Sequence, residues 1–318
     1  MAATDSYAGG DGRLSPLSTP SATRAVLEAH GIGTKYTLGQ NFLVNDDVLK
    51  KIIVLAEVGE ADRILEVGPG IGTLTVALLK CAGRVASVER DADLPAVLAE
   101  TLAPWADRFA LVQKDALDLT VDDLRDALGR LDPPETAPGK LVANLPYAVA
   151  ATVVLDYFER FPSLGSATVM VQKEVADRMA AVPGTKNYGA YTVKLRLYAE
   201  PAGRFGVGPG NFFPPPRVES AVLRLNRRPV FDDQGVPLDA DAIAAACTMA
   251  EAAFATRRKT LSNSCKTYFA SRGVQGARIA AALPQLLEQA AVDPKIRGEA
   301  LALEDFIRLG TALEALGA

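Results

Sequence analysis

The sequence predicts an α/β protein built on an open, doubly wound sheet, with a smaller all-helical domain after it. From residue 63 to residue 172, short apolar runs bounded by turn residues alternate with helical segments, which is typical of parallel strands joined by crossover helices. A glycine-rich turn, Gly68 to Gly72, follows the first of these runs. After residue 239 the chain is rich in alanine and its apolar residues recur at helical spacing. The 318 residues leave room for both domains.

Apolar runs between residues 63 and 172 are predicted as buried parallel strands of a Rossmann-like sheet, and the segments between them as its helices. The predicted strands are Ile64–Val67, Val85–Val88, Phe109–Val112, Leu141–Ala143 and Ala167–Val171. The predicted helices are Leu74–Lys80, Leu94–Leu102, Val121–Leu128, Ala150–Phe158 and Lys173–Ala181. Farther along, Phe212–Pro216 is predicted as a rigid loop because prolines fix φ, and Glu219–Asn226 as a short strand antiparallel to its neighbour.

The two ends of the chain complete the domain prediction. Residues 1–22 lack apolar periodicity and are predicted as a flexible N-terminal tail. A short helix over Thr23–His30 follows, and Asp46 is predicted to cap a helix that ends at Val58. The first domain is expected to span 23–228 and the helical C-terminal domain 229–318. The helices expected in that domain are Ala240–Phe254, Lys259–Ser271, Ala277–Ala290 and Leu303–Leu316.

The composition excludes several classes of protein. Apolar residues make up 49% of the chain, which is enough for a core, yet no apolar run is long enough for a transmembrane helix. The N-terminus lacks the basic and apolar regions of a secretory signal. Three widely spaced cysteines and the single histidine, His30, exclude a disulfide scaffold and a zinc site. Any chemistry is therefore expected to proceed without metal, thiol or imidazole.

The glycine-rich turn and two acids predict a cofactor site. Gly68 and Gly70 let the backbone approach a ligand closely at the carboxyl edge of the sheet. Glu89 ends the second strand, where a carboxylate can accept both ribose hydroxyls, and Asp115 after the third strand can accept an adenine amine. Each feature alone also fits a tight turn or a solvated acid. Together they indicate a class I methyltransferase that uses S-adenosylmethionine (SAM), and they fit a nicotinamide dehydrogenase less well.

A short motif after the fourth strand predicts the chemistry. Asn144, Leu145, Pro146 and Tyr147 resemble the (N/D)PPY motif of enzymes that methylate exocyclic amines. The Asn144 side-chain carbonyl and a backbone carbonyl near Leu145 can accept the two amine hydrogens, so that the nitrogen lone pair turns toward the methyl group. Tyr147 can stack on an unpaired base, with Phe212 on its other face. The alternatives are a plain Asn-Pro turn and an aromatic core.

Four basic residues are candidates for RNA binding despite the net charge of −4. Arg217 follows the proline run, and Arg257, Arg258 and Lys259 stand together near the predicted start of a C-terminal helix. A solvated helix face is the ordinary explanation of such a run. A polyanion-binding surface is the alternative if the charges face one side.

In combination, the motifs resemble the small-subunit ribosomal RNA adenine N6,N6-dimethyltransferases (the KsgA family) over about residues 35–310. Each segment is modest alone, and the combination is specific. The matching segments are Leu38–Leu43, Leu65–Gly70, Val88-Glu89, Asp115–Leu117, Asn144–Tyr147, Val171–Ala176, Phe212–Val218, Ser220–Val222, Ala253-Phe254 and Arg257–Leu261.

The resemblance implies transfer of four methyl groups from SAM to two adjacent adenosines near the 3′ end of small-subunit rRNA, within a partly assembled subunit. The family's cofactor contacts carry over to Asn41, Leu43, Gly68, Glu89, Asp115 and Asn144. It also implies that the helical domain docks on rRNA, and we expect a cytoplasmic monomer with no metal and no membrane partner. The alternatives are a large-subunit rRNA adenine methyltransferase of the macrolide-resistance type and an assembly factor whose methylation is incidental.

The chain departs from the family pattern in two places near the site. Ala148-Val149-Ala150 stands where the family usually has Asn, Ile and a small residue, and Lys114 replaces the usual glycine before Asp115. One secondary-structure conflict also remains: Tyr191 to Leu197 alternates like a strand, whereas the family has a helix there.

Overall fold

The computed structural model describes residues 12–35, 39–129 and 137–316. The first half of the predicted tail, residues 1–11, and Leu38 of the family motif lie outside the described residues. Contacts divide the chain into two compact units, Met1–Ala176 with Pro201–Arg227, and Asp177–Glu200 with Arg228–Ala318. The predicted first domain, 23–228, includes residues 177–200, whereas in the structure these residues belong to the second unit. The reason is packing, because Tyr188, Val193 and Leu197 join the apolar cores of the helical unit.

The first unit contains a seven-stranded sheet in the order β4-β3-β2-β5-β6-β9-β7, and a separate two-stranded pair of β1 with β8. The strands are β1 Phe42–Leu43, β2 Arg63–Val67, β3 Arg84–Glu89, β4 Phe109–Gln113, β5 Lys140–Asn144, β6 Ser166–Gln172, β7 Ala199–Val207, β8 Phe212–Phe213 and β9 Ser220–Arg227. Strands β2 to β6 pair in parallel, and β9 pairs antiparallel to β6, so the doubly wound α/β fold is confirmed.

Helices connect these strands. They are α1 Pro20–Ala29, α2 Asp46–Ala56, α3 Thr73–Cys81, α4 Leu94–Thr101, α5 Val121–Gly129, α6 Ala150–Arg160 and α7 Lys173–Met179. The strands β2 and β3 are buried along nearly their whole length because both of their faces are covered, and Ile64, Leu65 and Val85 are fully buried.

The strand order reverses between β2 and β5. From β2 the chain adds β3 and β4 on one side, and then returns to add β5 and β6 on the other. The loops that leave the carboxyl ends of β2 and β5 therefore start next to each other. Such a reversal is where open α/β sheets bind their ligands.

The N-terminal segment is ordered earlier than the sequence predicts. Leu14 is fully buried, and the backbone amides of Leu14 and Ser15 donate to the Asp46 carboxylate at 3.2 and 3.1 Å. Asp46 therefore does not cap α2; Asn45 does, because its side chain accepts from the amides of Asp47 and Val48. For residues 12–22, the flexible-tail prediction is wrong because the apolar side chains are buried and the backbone is hydrogen-bonded.

The Phe212–Pro216 segment differs from the predicted loop at its start. Phe212 pairs with Leu43 and Phe213 with Phe42, which forms the antiparallel β1–β8 ribbon. The segment continues as loop from Pro214, and the Phe213–Pro214 bond is cis. Two residues per strand are too few for a pattern of period 2 to show in the sequence.

The second unit is helical in the range after Asp239, as predicted. Its helices are α8 Ala190–Arg196, α9 Ala240–Phe254, α10 Leu261–Ala270, α11 Gly273–Gln289 and α12 Leu303–Ala315. A Cβ on Gly310 of α12 would lie 2.7 Å from the Ala246 nitrogen of α9, so these two helices touch backbone to backbone. The conflict over residues 191–197 resolves as helix α8, in which Thr192, Val193 and Leu195 are all buried. No helix among the described ranges is both long and apolar enough to span a bilayer.

Candidate active site

A cleft of about 820 Å³ lies at the carboxyl edge of the sheet in the first unit. The loops after β2, β3, β4 and β5 line it, together with the segment around β1 and the proline run after β8. The predicted site residues that line it are Asn41, Leu43, Gly68, Gly70, Glu89, Asp115, Asn144, Leu145, Pro146, Tyr147 and Arg217. The structure therefore brings nearly all of the predicted cofactor and catalytic residues together.

Backbone atoms of the glycine turn form the floor of the cleft. Gly68 and Gly70 have φ values of 69° and 59°, which L side chains rarely adopt. A Cβ on Gly70 would stand 3.0 Å from the Phe42 ring. Gly68 donates its N–H to the Val88 carbonyl at 2.9 Å, which fastens the turn to β3. A side chain at Gly70 would displace Phe42 and strain the turn.

The glycine turn and the Asn144–Tyr147 loop are neighbours. A Cβ on Gly68 would lie 3.7 Å from Pro146 Cδ and 4.0 Å from the Asn144 carbonyl oxygen. The loop itself is held at both ends, since Leu145 N–H donates to the Met170 carbonyl at 3.1 Å and Val149 N–H to the Pro146 carbonyl at 3.2 Å. A ligand against the glycine turn is thus within reach of the catalytic motif.

Asn144 connects the motif to the β1 segment. Its Nδ2 donates to the Asn41 carbonyl at 3.2 Å, which identifies Oδ1 as the end available to accept a hydrogen bond from a ligand amine. Leu43, only 3% exposed, contributes apolar surface to the same part of the cleft.

Tyr147 is held through its hydroxyl group. The hydroxyl lies 2.5 Å from the Ser220 Oγ on β9, and Ser220 is buried. Burial raises the pKa of Tyr147, so its phenol stays protonated and neutral. The ring is half-buried and lines the cleft, as a stacking surface for a base requires.

Phe212 does not line the cleft, contrary to its predicted role as the second face of a base clamp. It is 4% exposed and packs in the main apolar core of the first unit. The β1–β8 pairing sets this orientation, and the cleft wall is formed by Pro214–Val218 instead. The stacking role of Phe212 is therefore wrong for this structure, and its neighbour Phe213 contacts the Arg24 guanidinium at 5.3 Å from the ring centre.

Glu89 lies in a nest of backbone amides. It is buried, and it accepts hydrogen bonds from the amides of Gly70, Arg90 and Asp91, the last at 2.8 Å. Burial raises the pKa of Glu89, while the three amides act in the opposite direction by stabilising the carboxylate. The nest fixes the direction of the carboxylate at the cleft wall.

Asp115 is already paired at the cleft edge. Its carboxylate accepts from the Leu117 amide at 3.0 Å and from the Arg90 guanidinium at 2.9 Å, and these bonds lower its pKa. Arg90 itself is exposed. Lys114, which departs from the family pattern, pairs with Asp123 at 2.7 Å rather than with a site residue.

Glu66 is a buried acid directly beneath the glycine turn. It is 1% exposed, and the hydroxyls of Thr75 and Ser87 each donate to its Oε2 at 2.7 Å. Burial raises the pKa of Glu66 to about 7, because removing a carboxylate from water disfavours its charged form.

This burial predicts a pH-dependent stability. Between the ordinary pKa of 4.5 and about 7, folded Glu66 keeps a proton that the unfolded chain has lost, so the free energy of unfolding falls as pH rises through that window. We expect Glu66→Gln, which cannot titrate, to remove up to about 3 kcal/mol of this loss. Urea unfolding at about pH 4.5, 6 and 8 measures it. Parallel curves for the wild type and the variant would contradict the assignment.

The basic candidates lie in two different settings. Arg217 is exposed at the cleft edge. In the second unit, Arg258 and Lys259 are exposed in the turn before α10, whereas Arg257 is paired with Glu299 at 3.3 Å and donates to the Lys186 carbonyl. The RNA-binding roles of all four stay predictions.

Sequence reasoning missed three residues of the site. Asp91 and Gln40 hydrogen-bond to each other beside Glu89, and Ser220 anchors Tyr147. The signals were present only in part, since Gln40 and Ser220 lie inside matched family segments, whereas Asp91 lies two residues after Glu89 with nothing in the pattern to distinguish it.

The residues of the cleft fit SAM. A glycine turn with backbone at its floor, a buried carboxylate on the next strand and a second acid beyond it would suit an adenosine-type ligand. The side chains that would hold it are Asn41, Leu43, Glu89, Asp115 and Asn144.

Comparison with known proteins agrees with this geometry. The family model of the ribosomal RNA adenine dimethylases matches residues 33–307. Ribosomal RNA small subunit methyltransferase A of Enterococcus faecalis is 38% identical over 298 residues, covering 94% of this chain and 96% of that protein. The protein of the same name from Streptomyces coelicolor is 40% identical over 298 residues, covering 92% and 96%.

Solved structures show the same fold. A dimethyladenosine transferase from Plasmodium falciparum superposes with a TM-score of 0.69 at 23% identity, over 87% of this chain and 98% of that one. The 23S rRNA methyltransferase ErmE superposes with a TM-score of 0.58 at 25% identity, over 86% and 100%. From the family match and the identity to these relatives, the chain belongs to the ribosomal RNA adenine dimethylase family.

Proposed function

We propose that this protein transfers methyl groups from SAM to the N6 amines of two adjacent adenosines near the 3′ end of small-subunit rRNA. It acts on a partly assembled small subunit, as a cytoplasmic monomer. The observation that carries the proposal is the proximity of the glycine turn at Gly68 to the Asn144–Tyr147 motif at Pro146, in a chain whose relatives are named small subunit methyltransferase A.

The motif suits an exocyclic amine because such a nitrogen is a poor nucleophile. Its lone pair is delocalised into the purine ring, and it gains reactivity when its two hydrogens are held by acceptors outside the ring plane. Asn144 Oδ1 is one acceptor, and a backbone carbonyl near Leu145 is the other. The bond from Nδ2 to Asn41 fixes which end of the amide faces the amine.

The other residues of the site position the methyl donor and the base relative to each other. SAM, when bound, would supply an electrophilic methyl on a good leaving group. The nitrogen that gains the methyl becomes cationic and acidic and releases its proton to water, so the protein needs no strong base. Glu89 and the glycine turn hold the donor side, and Tyr147 holds the base by stacking. Aligning two reactants in this way accounts for a large rate increase without acid–base catalysis.

The direct test uses rRNA from small subunits that lack these methyl groups. Incubation with the protein and SAM, followed by mass spectrometry of rRNA fragments, should show two adjacent dimethyladenosines near the 3′ end. Primer extension across both rRNAs then locates the sites. Stops on large-subunit rRNA alone would instead support the second candidate, to which the fold similarity with ErmE points. Subunit binding without any methylation would support an assembly factor.

Charges in the second unit are predicted to contribute to subunit binding. Reversing Arg258 and Lys259 to glutamate should weaken binding and reduce the slope of log K against log salt by about 2, because each phosphate contact contributes roughly one unit. Arg125→Glu, an exposed arginine of the first unit, is the control and should leave the slope unchanged. A double variant with the wild-type slope would assign these residues to a solvated surface.

A further inference from the structure

Asp91 is a buried carboxylate beside the cleft that the mechanism does not use. It follows β3 by two residues, and its side chain is 2% exposed. It accepts hydrogen bonds from Lys35 Nζ at 2.5 Å, Gln40 Nε2 at 2.7 Å and the Asp93 amide at 3.1 Å. These donors come from two parts of the chain more than 50 residues apart. So many donors on one buried carboxylate indicate a strongly specified position.

The Asp91 carboxylate stays ionised in this position. Burial alone would raise its pKa, but the hydrogen bonds from Lys35, Asp93 and Gln40 outweigh it, and the pKa is lowered. Asp91 is not among the residues that line the cleft, whereas Glu89 and Arg90, which directly precede it, are. Its influence on a ligand therefore has to pass through its neighbours.

Asp91 is hydrogen-bonded to two segments of the chain that contain predicted cofactor contacts. On one side, Gln40 precedes Asn41, and the Gln40 side chain also accepts from the Lys35 amide at 2.8 Å. On the other side, the Asp91 backbone amide donates to Glu89 Oε1 at 2.8 Å. The Asp91 side chain thus anchors the turn whose amides orient Glu89, and it ties that turn to the segment leading into β1.

We propose that Asp91 is a positioning residue of the cofactor site, which holds the Glu89 carboxylate and the Gln40-Asn41 segment in the geometry that binds the adenosine part of SAM. The inference rests on the proposed function, because it takes Glu89 as a cofactor contact. Asp91 does not touch the ligand. It acts through the orientation of Glu89, as residues behind a direct ligand commonly do.

A double-variant cycle tests this assignment. SAM affinity is measured by calorimetry on the full chain for Asp91→Ala, Glu89→Ala and the double variant. We expect Asp91→Ala to weaken SAM binding about tenfold in the wild-type background, the size of one well-formed hydrogen bond. In the Glu89→Ala background the same change should cost less than about twofold, because the group through which Asp91 acts is gone. Asp91→Asn keeps the shape and acceptor oxygen and should lie between.

A control separates positioning from folding. Lys35 also contacts the Asp93 carboxylate, which has no hydrogen bond to Gln40. Asp93→Asn removes that carboxylate and should change SAM affinity by less than about twofold. Unchanged affinity in both Asp91→Ala and Asp91→Asn would overturn the inference, as would equal losses with and without Glu89. If Glu89→Ala binds SAM with wild-type affinity, the assignment of Glu89 in the proposed function fails as well. If Glu89→Ala loses affinity and the Asp91 variants do not, only the role of Asp91 is overturned.

Discussion

Asn144→Ala is expected to reduce methyl transfer by about 10²- to 10³-fold, the range observed when one preorganised hydrogen-bonding group is removed from an active site. The Asn144 side chain lines the cleft, with Nδ2 bonded to the Asn41 carbonyl and Oδ1 as the proposed acceptor for the amine. Alanine removes that acceptor and leaves the base stacked on Tyr147 with no alignment. Transfer of labelled methyl groups to unmethylated small subunits measures the effect.

Asn144→Asp is the matched variant. It keeps an acceptor oxygen, and the (N/D)PPY pattern accommodates it, but it sets a second oxygen against the Asn41 carbonyl. We expect activity between the wild type and Asn144→Ala. Subunit binding by Asn144→Ala should survive, because the residue lies in the cleft rather than on the basic surfaces. Wild-type rates for Asn144→Ala would show that another group holds the amine.

Glu89→Ala is expected to weaken SAM binding by about 10²- to 10³-fold, because two hydrogen bonds to a charged acceptor are lost together. The carboxylate is buried and accepts hydrogen bonds from three backbone amides, which hold it in one direction. Calorimetry with SAM measures the loss directly. Glu89→Gln, which keeps the size of the side chain and one acceptor oxygen, should lose less.

The pH dependence adds a check on Glu89. Burial raises the pKa of Glu89, so the side chain takes up a proton at a higher pH than an exposed glutamate does. The protonated side chain no longer accepts hydrogen bonds from both ribose hydroxyls. SAM affinity of the wild type should therefore fall as pH decreases toward the pKa of Glu89. The change should be smaller in Glu89→Ala, in which, of these two acids, only Glu66 beneath the glycine turn still titrates with a raised pKa. A wild-type affinity independent of pH would separate Glu89 from the ribose.

The position of the predicted cofactor residues could be derived from the sequence because parallel strands bring the residues at their carboxyl ends together. Glu89 and Asn144 end their strands and Asp115 follows the end of β4 by two residues, so the order of motifs along the chain implies that all three lie at the same edge of the sheet. The glycine turn is equally local, since its positive φ values require the glycines that the sequence shows.

The remaining features depend on long-range packing that no local pattern encodes. Phe212 turns into the core because it pairs with Leu43, and a ribbon of two residues leaves no periodicity to recognise. Helix α8 is buried on several sides, so its apolar residues imitate the alternation of a strand. Asp91 and Ser220 matter through partners more than 50 residues away, which makes their roles visible only in the folded chain.

A crystal structure of the protein with SAM tests the central claim most directly. We expect both ribose hydroxyls within about 3 Å of the Glu89 carboxylate and the transferable methyl directed at the Asn144 side chain beside Pro146. A cofactor bound elsewhere, or bound in the cleft with its methyl directed away from Asn144, would contradict it.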